Sequence, residues 1–188
     1  MLFLASSSPR RSELLTKAGY EFSVEPAKVS ENVLHGTPPM QIVEQLSARK
    51  AETVAKLHPT DTILAADTIV VMKGRILGKP KDEETAKAML KFLSGNVHQV
   101  YTGYTIIRGK KFLCGHEVTS VEFYALTQKE IDSYVATGEP LDKAGAYGIQ
   151  GRGALFVKRV NGDFYNIMGL PIAKISRLLN SIEADSGD

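Results

Sequence analysis

The chain has 188 residues, an apolar share of 43% and a formal net charge of +2 at pH 7. This size and composition predict one globular domain over residues 1–188, and the near-neutral charge excludes the basic footprint of a duplex nucleic-acid binder. The single cysteine, Cys114, excludes an intramolecular disulfide, and the lack of a signal peptide or a transmembrane apolar run favours the cytoplasm.

The first predicted elements are a short strand over residues 2–4 and a helix that begins at Pro9 with Ser8 as its N-cap. Arg10 and Arg11 lie in the first helical turn, where the helix dipole disfavours cations. Broken local rules of this kind are typical of functional sites. Serine hydroxyls, free N–H groups and two arginines favour an anion, most naturally a phosphate. The alternative is that both arginines point into solvent.

Hydrophobic periodicity and turn residues predict further elements along the chain. The predicted strands cover residues 20–24, 62–66 with a continuation at 69–71, 75–77, 97–107, 112–124 and 155–160. The predicted helices cover residues 9–18, 38–57, 83–93 and 128–138, and a last helix begins at Pro171. Residues 183–188 are predicted to form a frayed acidic tail.

An acid interrupts the most apolar strand, where Asp67 and Thr68 separate two runs of buried residue types. A buried carboxylate is costly unless it is paired, hydrogen-bonded or bound to a metal, so a functional role is favoured for Asp67. The alternative is a carboxylate at a bulge or at a strand end. Lys50, in the helix over residues 38–57, is expected to be exposed, as most lysines are.

A glycine-rich polar stretch over residues 142–153 is the third unusual feature. Its glycines fit neither the dinucleotide fingerprint nor the Walker loop. Lys143, Tyr147 and Gln150 favour a binding loop, since the amide of Gln150 can both donate and accept hydrogen bonds to a base edge. The alternative is a flexible connector.

Cations, a helix N-terminus, a buried acid and an amide in a glycine-rich loop together suggest hydrolysis of a nucleoside triphosphate. The four histidines show no metal-ligand spacing. These features alone do not select which phosphate bond breaks.

The same residues resemble the Maf family of nucleotide pyrophosphatases over nearly the whole chain. The matching segments are Leu4–Arg11, Ala66–Val70, Gly78–Pro80, Leu93–Gly95 with His98, Asp142–Gly151 and Met168–Pro171. The resemblance is closest to the branch that acts on dTTP and UTP. It implies an α/β fold similar to that of inosine triphosphate pyrophosphatases, with a mixed twisted sheet flanked by helices and two lobes around a cleft.

The resemblance also implies a reaction and an assembly. A homodimer would cleave the triphosphate to the monophosphate and pyrophosphate with a divalent metal, Mg²⁺ or Mn²⁺. Asp67 matches the acid that activates water, and Glu31 matches an acid that helps to hold the metal or the water. Arg10, Thr68 and Gln150 match positions that set base specificity. The positions matched to phosphate contacts or the pocket wall are Ser8, Arg11, Lys50, Lys79 and Lys143.

Two other functions stay open at this point. One is a 7-methyl-GTP pyrophosphatase of the sibling branch, whose loops differ at these positions. The other is a regulator of cell division that binds a nucleotide or nucleic acid without catalysis, although the near-neutral charge counts against strong nucleic-acid binding. The natural substrate can also be a modified pyrimidine triphosphate that is removed from the nucleotide pool.

Overall fold

The computed structural model describes residues 1–184 of the chain. The strands are β1 (Leu2–Leu4), β2 (Ser23–Val24), β3 (Thr62–Met72), β4 (Arg75–Leu77), β5 (Val97–Arg108), β6 (Lys111–Phe123) and β7 (Val157–Asn161). The α-helices are α1 (Pro9–Lys17), α2 (Pro39–Ala55), α3 (Glu83–Leu93), α4 (Gln128–Val135), α5 (Phe164–Ile167) and α6 (Ile172–Ala184). Short 3₁₀ turns cover Glu139–Asp142, Ala144–Ala146 and Arg152–Phe156. None of the described helices is long and apolar enough to cross a membrane.

The described strands form one mixed sheet in the order β2-β1-β3-β5-β6-β7, with β4 paired to β3. β1 runs parallel to both β2 and β3, whereas β4 is antiparallel to β3 and β7 is antiparallel to β6. Leu2 lies opposite Thr62, and Leu4 lies opposite Leu64. The predicted α/β class, a mixed sheet combined with helices, is confirmed.

The chain divides into two compact units. The first unit comprises Met1–Asp67, Thr102–Glu117 and the segment from Gly169 onward, and the second comprises Thr68–Tyr101 and Val118–Met168. The first segment of the first unit ends within β3, at Asp67, and the first segment of the second unit begins at the next residue.

The first unit has an apolar core in which β1, β3 and α2 meet. Ala5, Ala51, Val54, Ile63 and Ala65 are all fully buried there. Three small side chains in this cluster bring the backbones of the three elements close together, so there is little room for a larger residue.

The second unit has an aromatic core. The rings of His98, Phe123 and Tyr147 form edge-to-face contacts with centroids 4.8–5.3 Å apart. Phe156 joins this cluster and also contacts Tyr134 at 4.9 Å. Edge-to-face geometry suits the ring quadrupoles and adds to the gain from burial.

Several predicted boundaries are wrong at their ends. β2 begins at Ser23 rather than at residue 20, because the Tyr20 N–H still bonds to the carbonyl of Leu15 at the end of α1. β7 begins at Val157 rather than at residue 155, because the preceding residues form a 3₁₀ turn. The predicted tail over residues 183–188 lies largely outside the described residues, and α6 continues to Ala184.

Candidate active site

The residues singled out from the sequence fall into both units. The first unit contains Ser8, Arg10, Arg11, Glu31, Lys50 and Asp67. The second contains Thr68, Lys79, Lys143 and Gln150.

Asp67 lies inside a continuous strand, so the alternative that it ends the strand is wrong. Its carboxylate Oδ1 accepts a short hydrogen bond from the Lys50 ammonium, and the two form an ion pair. Only 15% of the Lys50 side chain and 14% of the Asp67 side chain are exposed, so the expectation of an exposed Lys50 is also wrong. The cost of burying this carboxylate is offset by its cationic partner.

Hydrogen bonds to Ser6 and Gly169 fix the N-terminus of α1. Ser8 occupies the N-cap position in extended backbone conformation, but its side chain makes no cap hydrogen bond. Instead, the Ser8 N–H donates to Ser6 Oγ over 3.2 Å. Arg11 donates from Nη1 to Ser6 Oγ and from Nε to the carbonyl oxygen of Gly169, both over 2.8 Å. Ser6 therefore links the loop to the first helical turn.

The two arginines of α1 have different environments. Arg11 is buried at 9% exposure, whereas Arg10 is half-buried, so the alternative with both side chains in solvent is wrong. Burial lowers the pKa of Arg11 to about 10, against the opposing attraction of the Asp67 carboxylate. The guanidinium remains charged at neutral pH and acts electrostatically on the carboxylate of β3.

Glu31 lies in the irregular connection between β2 and α2, and its side chain is exposed. Arg49 of α2 holds this connection on both sides of Glu31. Its Nη1 donates to the carbonyl of Ser30 over 3.1 Å and to the carbonyl of Asn32 over 2.7 Å. Among the described residues, no group of three or more His, Cys, Asp or Glu side chains is arranged to hold a metal.

In the second unit, two loops that carry candidate residues are joined directly. The Gly145 N–H donates to the carbonyl of Gly78 over 3.1 Å, next to Lys79. Gly145 has φ +71, and a Cβ there would lie 3.0 Å from the Val70 side chain, so only glycine fits. Lys79 is exposed.

The remaining candidates of the second unit differ in exposure. Gln150 is exposed, and Thr68 is half-buried in β3. Lys143 Nζ donates to the carbonyl of Glu139 over 2.8 Å and to Asp142 Oδ1 over 2.6 Å. The bond from Gly145 to Gly78 ties the glycine-rich stretch to another loop, which disfavours the alternative of a flexible connector.

Sequence reasoning did not single out Ser6, Arg49, Tyr134 or Glu139 as individual residues. Each of them acts by contacting the backbone or the side chain of a candidate residue's own loop. Arg49 and Tyr134 lie within regular helices, where no local sequence signal identifies a partner that is distant in sequence.

Comparisons with known proteins agree on one family. A family model described as "Maf-like protein" matches residues 1–182. A protein of Bacillus mycoides (strain KBAB4) named "dTTP/UTP pyrophosphatase" is 48% identical over 184 residues, which cover 98% of this chain and 96% of that protein. Proteins with the same name from Bacillus pumilus (strain SAFR-032) and Symbiobacterium thermophilum are 47% and 49% identical, over 96% and 95% of this chain and 95% and 92% of their own lengths.

One solved structure is also similar, "The structure of the Staphylococcus aureus Ham1 protein". It has a TM-score of 0.49 and 16% sequence identity, and the match covers 93% of this chain and 97% of that chain.

Proposed function

Because the chain belongs to the Maf family, we propose that it is a nucleoside triphosphate pyrophosphatase that hydrolyses dTTP and UTP to the monophosphate and pyrophosphate. The relatives reported above carry this activity in their names and match nearly the whole chain. No observation on the described residues favours the 7-methyl-GTP activity or a binding role without catalysis.

The observation that carries the mechanism is the ion pair between Lys50 of α2 and Asp67 in the middle of β3. Lys50 donates a hydrogen bond to Oδ1 of Asp67, and we propose that this carboxylate accepts the proton of the attacking water. In the proposed step, a water oxygen forms a bond to the α-phosphorus as its proton passes to Asp67. The bond between the α-phosphorus and the bridging oxygen breaks, and pyrophosphate leaves with that oxygen. A positioned general base typically contributes about 10²–10⁴-fold in rate.

Positive charge in the first unit suits a polyphosphate. Lys50 forms an ion pair with the Asp67 carboxylate of β3, and the charge of Arg11 attracts the same carboxylate. Ser8 is the N-cap of α1, and the dipole at a helix N-terminus favours anions. We propose that these groups stabilise the charge that develops on the phosphates. Lys79 and Lys143 remain predicted phosphate-binding residues, and Arg10, Thr68 and Gln150 remain predicted determinants of base specificity.

A divalent metal is proposed as the cofactor, held by the carboxylates of Asp67 and Glu31. Mg²⁺ is commonly bound through one or two carboxylates together with substrate phosphates, so two oxygen-donating side chains fit it, and Mn²⁺ accepts the same ligands. When bound, the metal would neutralise charge on the triphosphate. Arg49, which holds the backbone on both sides of Glu31, fixes where that carboxylate can reach.

The predicted homodimer and the predicted cytoplasmic location stay predictions. Light scattering on the purified chain at micromolar concentration tests the first, and a mass of twice 20.5 kDa is expected.

A pyrophosphate-release assay tests the reaction and its substrate. The panel contains dTTP, UTP, CTP, GTP, ATP, 7-methyl-GTP and modified pyrimidine triphosphates, each with Mg²⁺, Mn²⁺ or a chelator. We expect release with dTTP and UTP only when a metal is present. Preference for 7-methyl-GTP would select the sibling branch, and tight binding without release would select a non-catalytic role.

Labelled water locates the bond that breaks. With dTTP in H₂¹⁸O, attack at the α-phosphorus places the label in dTMP, whereas attack at the β-phosphorus places it in pyrophosphate. We expect the label in dTMP. For the variant Asp67→Asn, which tests the proposed general base, Asp132→Asn serves as the matched carboxylate control. Asp132 lies on the surface of α4 and pairs with Lys87.

A further inference from the structure

Gln150 lies in a turn of six residues, three of which are glycines. This turn, residues 148–153, contains Gly148, Gly151 and Gly153 and is here called the glutamine turn. Gln150 is exposed, whereas Gly148 and Gly153 are buried. The amide side chain is therefore presented to solvent by a backbone whose two ends are enclosed.

Two side chains outside the turn hold it. The Glu139 carboxylate accepts hydrogen bonds from the N–H of Arg152 over 3.0 Å and from the N–H of Gly153 over 3.4 Å. The hydroxyl of Tyr134 donates to Glu139 Oε1 over 2.8 Å and accepts from the N–H of Gly148 over 3.0 Å. Both ends of the glutamine turn are thus fixed to the same pair of side chains.

The glycines are required by this close approach. A Cβ at Gly151 would lie 2.3 Å from Glu139 Oε1, and a Cβ at Gly153 would lie 2.8 Å from the Tyr134 hydroxyl. Neither distance is compatible with an ordinary side chain. The backbone therefore wraps directly around the carboxylate and the phenol.

An ionised Glu139 and a protonated Tyr134 are the forms that can make the hydrogen bonds to the glutamine turn. Burial opposes ionisation of Glu139, but bonds from Arg152, Tyr134 and Gly153 and the charge of Lys143 together hold its pKa below the ordinary value. Burial raises the pKa of Tyr134, so the phenol keeps its proton. The phenol can then donate to the carboxylate and accept from Gly148 at the same time.

The same glutamate also fixes a second candidate residue. Its backbone carbonyl accepts from Lys143 Nζ over 2.8 Å, and a Cβ at Gly148 would lie 2.6 Å from Lys143 Cε. Lys143 and Gln150 therefore share one support.

We infer that Tyr134 and Glu139 are positioning residues that set the base selectivity of the enzyme, by fixing the glutamine turn from which Gln150 is presented. The inference rests on the proposed function, in which Gln150 selects the base. An amide held at one place can match the donor and acceptor pattern of one pyrimidine, whereas an amide on a loose turn can adapt to the other.

Amide hydrogen exchange on the full chain without substrate tests the support itself. Tyr134→Phe removes the oxygen that accepts the hydrogen bond from the Gly148 N–H. We expect the exchange rate of the Gly148 amide to rise about fivefold, which corresponds to the net free energy of one hydrogen bond. Glu139→Ala should raise exchange at Arg152 and Gly153 by about the same factor. Tyr124→Phe is the matched control, because this tyrosine of the same unit is 53% exposed. Unchanged protection in both test variants would overturn the inference.

Selectivity tests the consequence for catalysis. We expect Tyr134→Phe and Glu139→Ala to lower the ratio of kcat/KM for UTP over CTP about fivefold to tenfold. The change should lie mainly in KM, and Glu139→Gln, which keeps the acceptor oxygen, should restore much of the ratio. Gln150→Ala should lower the ratio at least as far.

The outcomes separate the two proposals. If the wild-type chain does not hydrolyse UTP or dTTP, the proposed function fails, and the exchange experiment still decides whether the pair supports the turn. If the wild-type chain is selective and Gln150→Ala is not, an unchanged ratio in Tyr134→Phe and Glu139→Ala overturns the inference alone. An unchanged ratio of kcat/KM for UTP over CTP in Gln150→Ala also overturns the inference.

Discussion

Adjacent arginines in the first turn of α1 have separate structural roles. Arg11 is buried and uses two donors on Ser6 and Gly169, whereas Arg10 is only half-buried. The sequence indicated that these cations break a local rule, but it could not indicate that one of them bonds to a carbonyl 158 residues away. Burial of Arg11 depends on tertiary packing and leaves no local pattern.

This difference predicts different effects of the two alanine substitutions. Arg11→Ala should lower kcat/KM for all triphosphates by a similar factor, about 10²-fold, because it removes a buried positive charge beside Asp67. Arg10→Ala should instead change the ranking of dTTP, UTP and CTP. Steady-state kinetics on the triphosphate panel measures both.

Stability provides an independent readout for the same pair of variants. Arg11→Ala should reduce the free energy of unfolding by about 2–3 kcal/mol, since hydrogen bonds of a charged group are lost. Arg10→Ala should cost less, because its side chain is half-buried. Equal effects on stability and on ranking would show that the two arginines are equivalent.

Lys50 and Asp67 form the clearest case in which residue types alone were informative. The cost of a carboxylate within an apolar run predicted a partner for Asp67. The identity of that partner needed the packing of α2 on β3, which the sequence pattern does not contain.

At the scale of elements, α2 organises the candidate residues of the first unit. Arg49 bonds to the backbone on both sides of Glu31, and its neighbour Lys50 pairs directly with Asp67. These are the two carboxylates for which we propose metal and proton chemistry. The bonds from Arg49 join the irregular segment around Glu31 to α2.

Arg49→Ala should therefore weaken metal use more than substrate binding. Loss of both carbonyl contacts releases the backbone around Glu31, and we expect the half-saturating Mg²⁺ concentration to rise about tenfold. Titration of Mg²⁺ at saturating dTTP measures this. Lys56→Ala is the control, since Lys56 is an exposed residue at the end of the same helix. An unchanged Mg²⁺ requirement would remove Arg49 from this role.

Periodic elements were predictable, and irregular ones were not. The bounds of α2, α3, β5 and β6 agree with the hydrophobic pattern within two residues. β2 and β7 are shorter than predicted or shifted, because hydrogen bonds to neighbouring turns compete with strand pairing there. Short elements with few apolar positions carry a weak pattern.

At the scale of the whole molecule, sheet order is the largest part of the fold that the pattern left undetermined. β1 lies between β2 and β3, and β3 lies beside β5. Strand periodicity shows which face is buried but not which strand is adjacent. The family resemblance implied the α/β class, and the structure shows the strand order.

Global stability should depend on His98. This side chain is 1% exposed, its Nε2 lies 2.8 Å from the Tyr147 hydroxyl, and burial lowers its pKa to about 4 from the ordinary value of 6.5. The His98 imidazole takes up a proton near pH 6.5 in the unfolded chain, but only near pH 4 in the folded chain. The contribution of neutral His98 to the free energy of unfolding is therefore fully present above pH 6.5. About 3 kcal/mol of it is lost as the pH falls toward 4.

His98→Gln tests this linkage, because an amide can still bond to Tyr147 but does not titrate. Urea unfolding from pH 7 to pH 4 should show a loss about 3 kcal/mol larger in the wild-type chain than in the variant. Parallel pH profiles of the two proteins would mean that His98 does not titrate with folding.

The proposed mechanism requires that Asp67 accepts the proton from the attacking water. Asp67→Asn keeps the size and hydrogen-bonding shape of the side chain but removes its basicity. Single-turnover hydrolysis of dTTP with Mg²⁺, measured beside Asp132→Asn, should slow by about 10²–10⁴-fold, while dTTP still binds. Wild-type turnover in Asp67→Asn would contradict the claim.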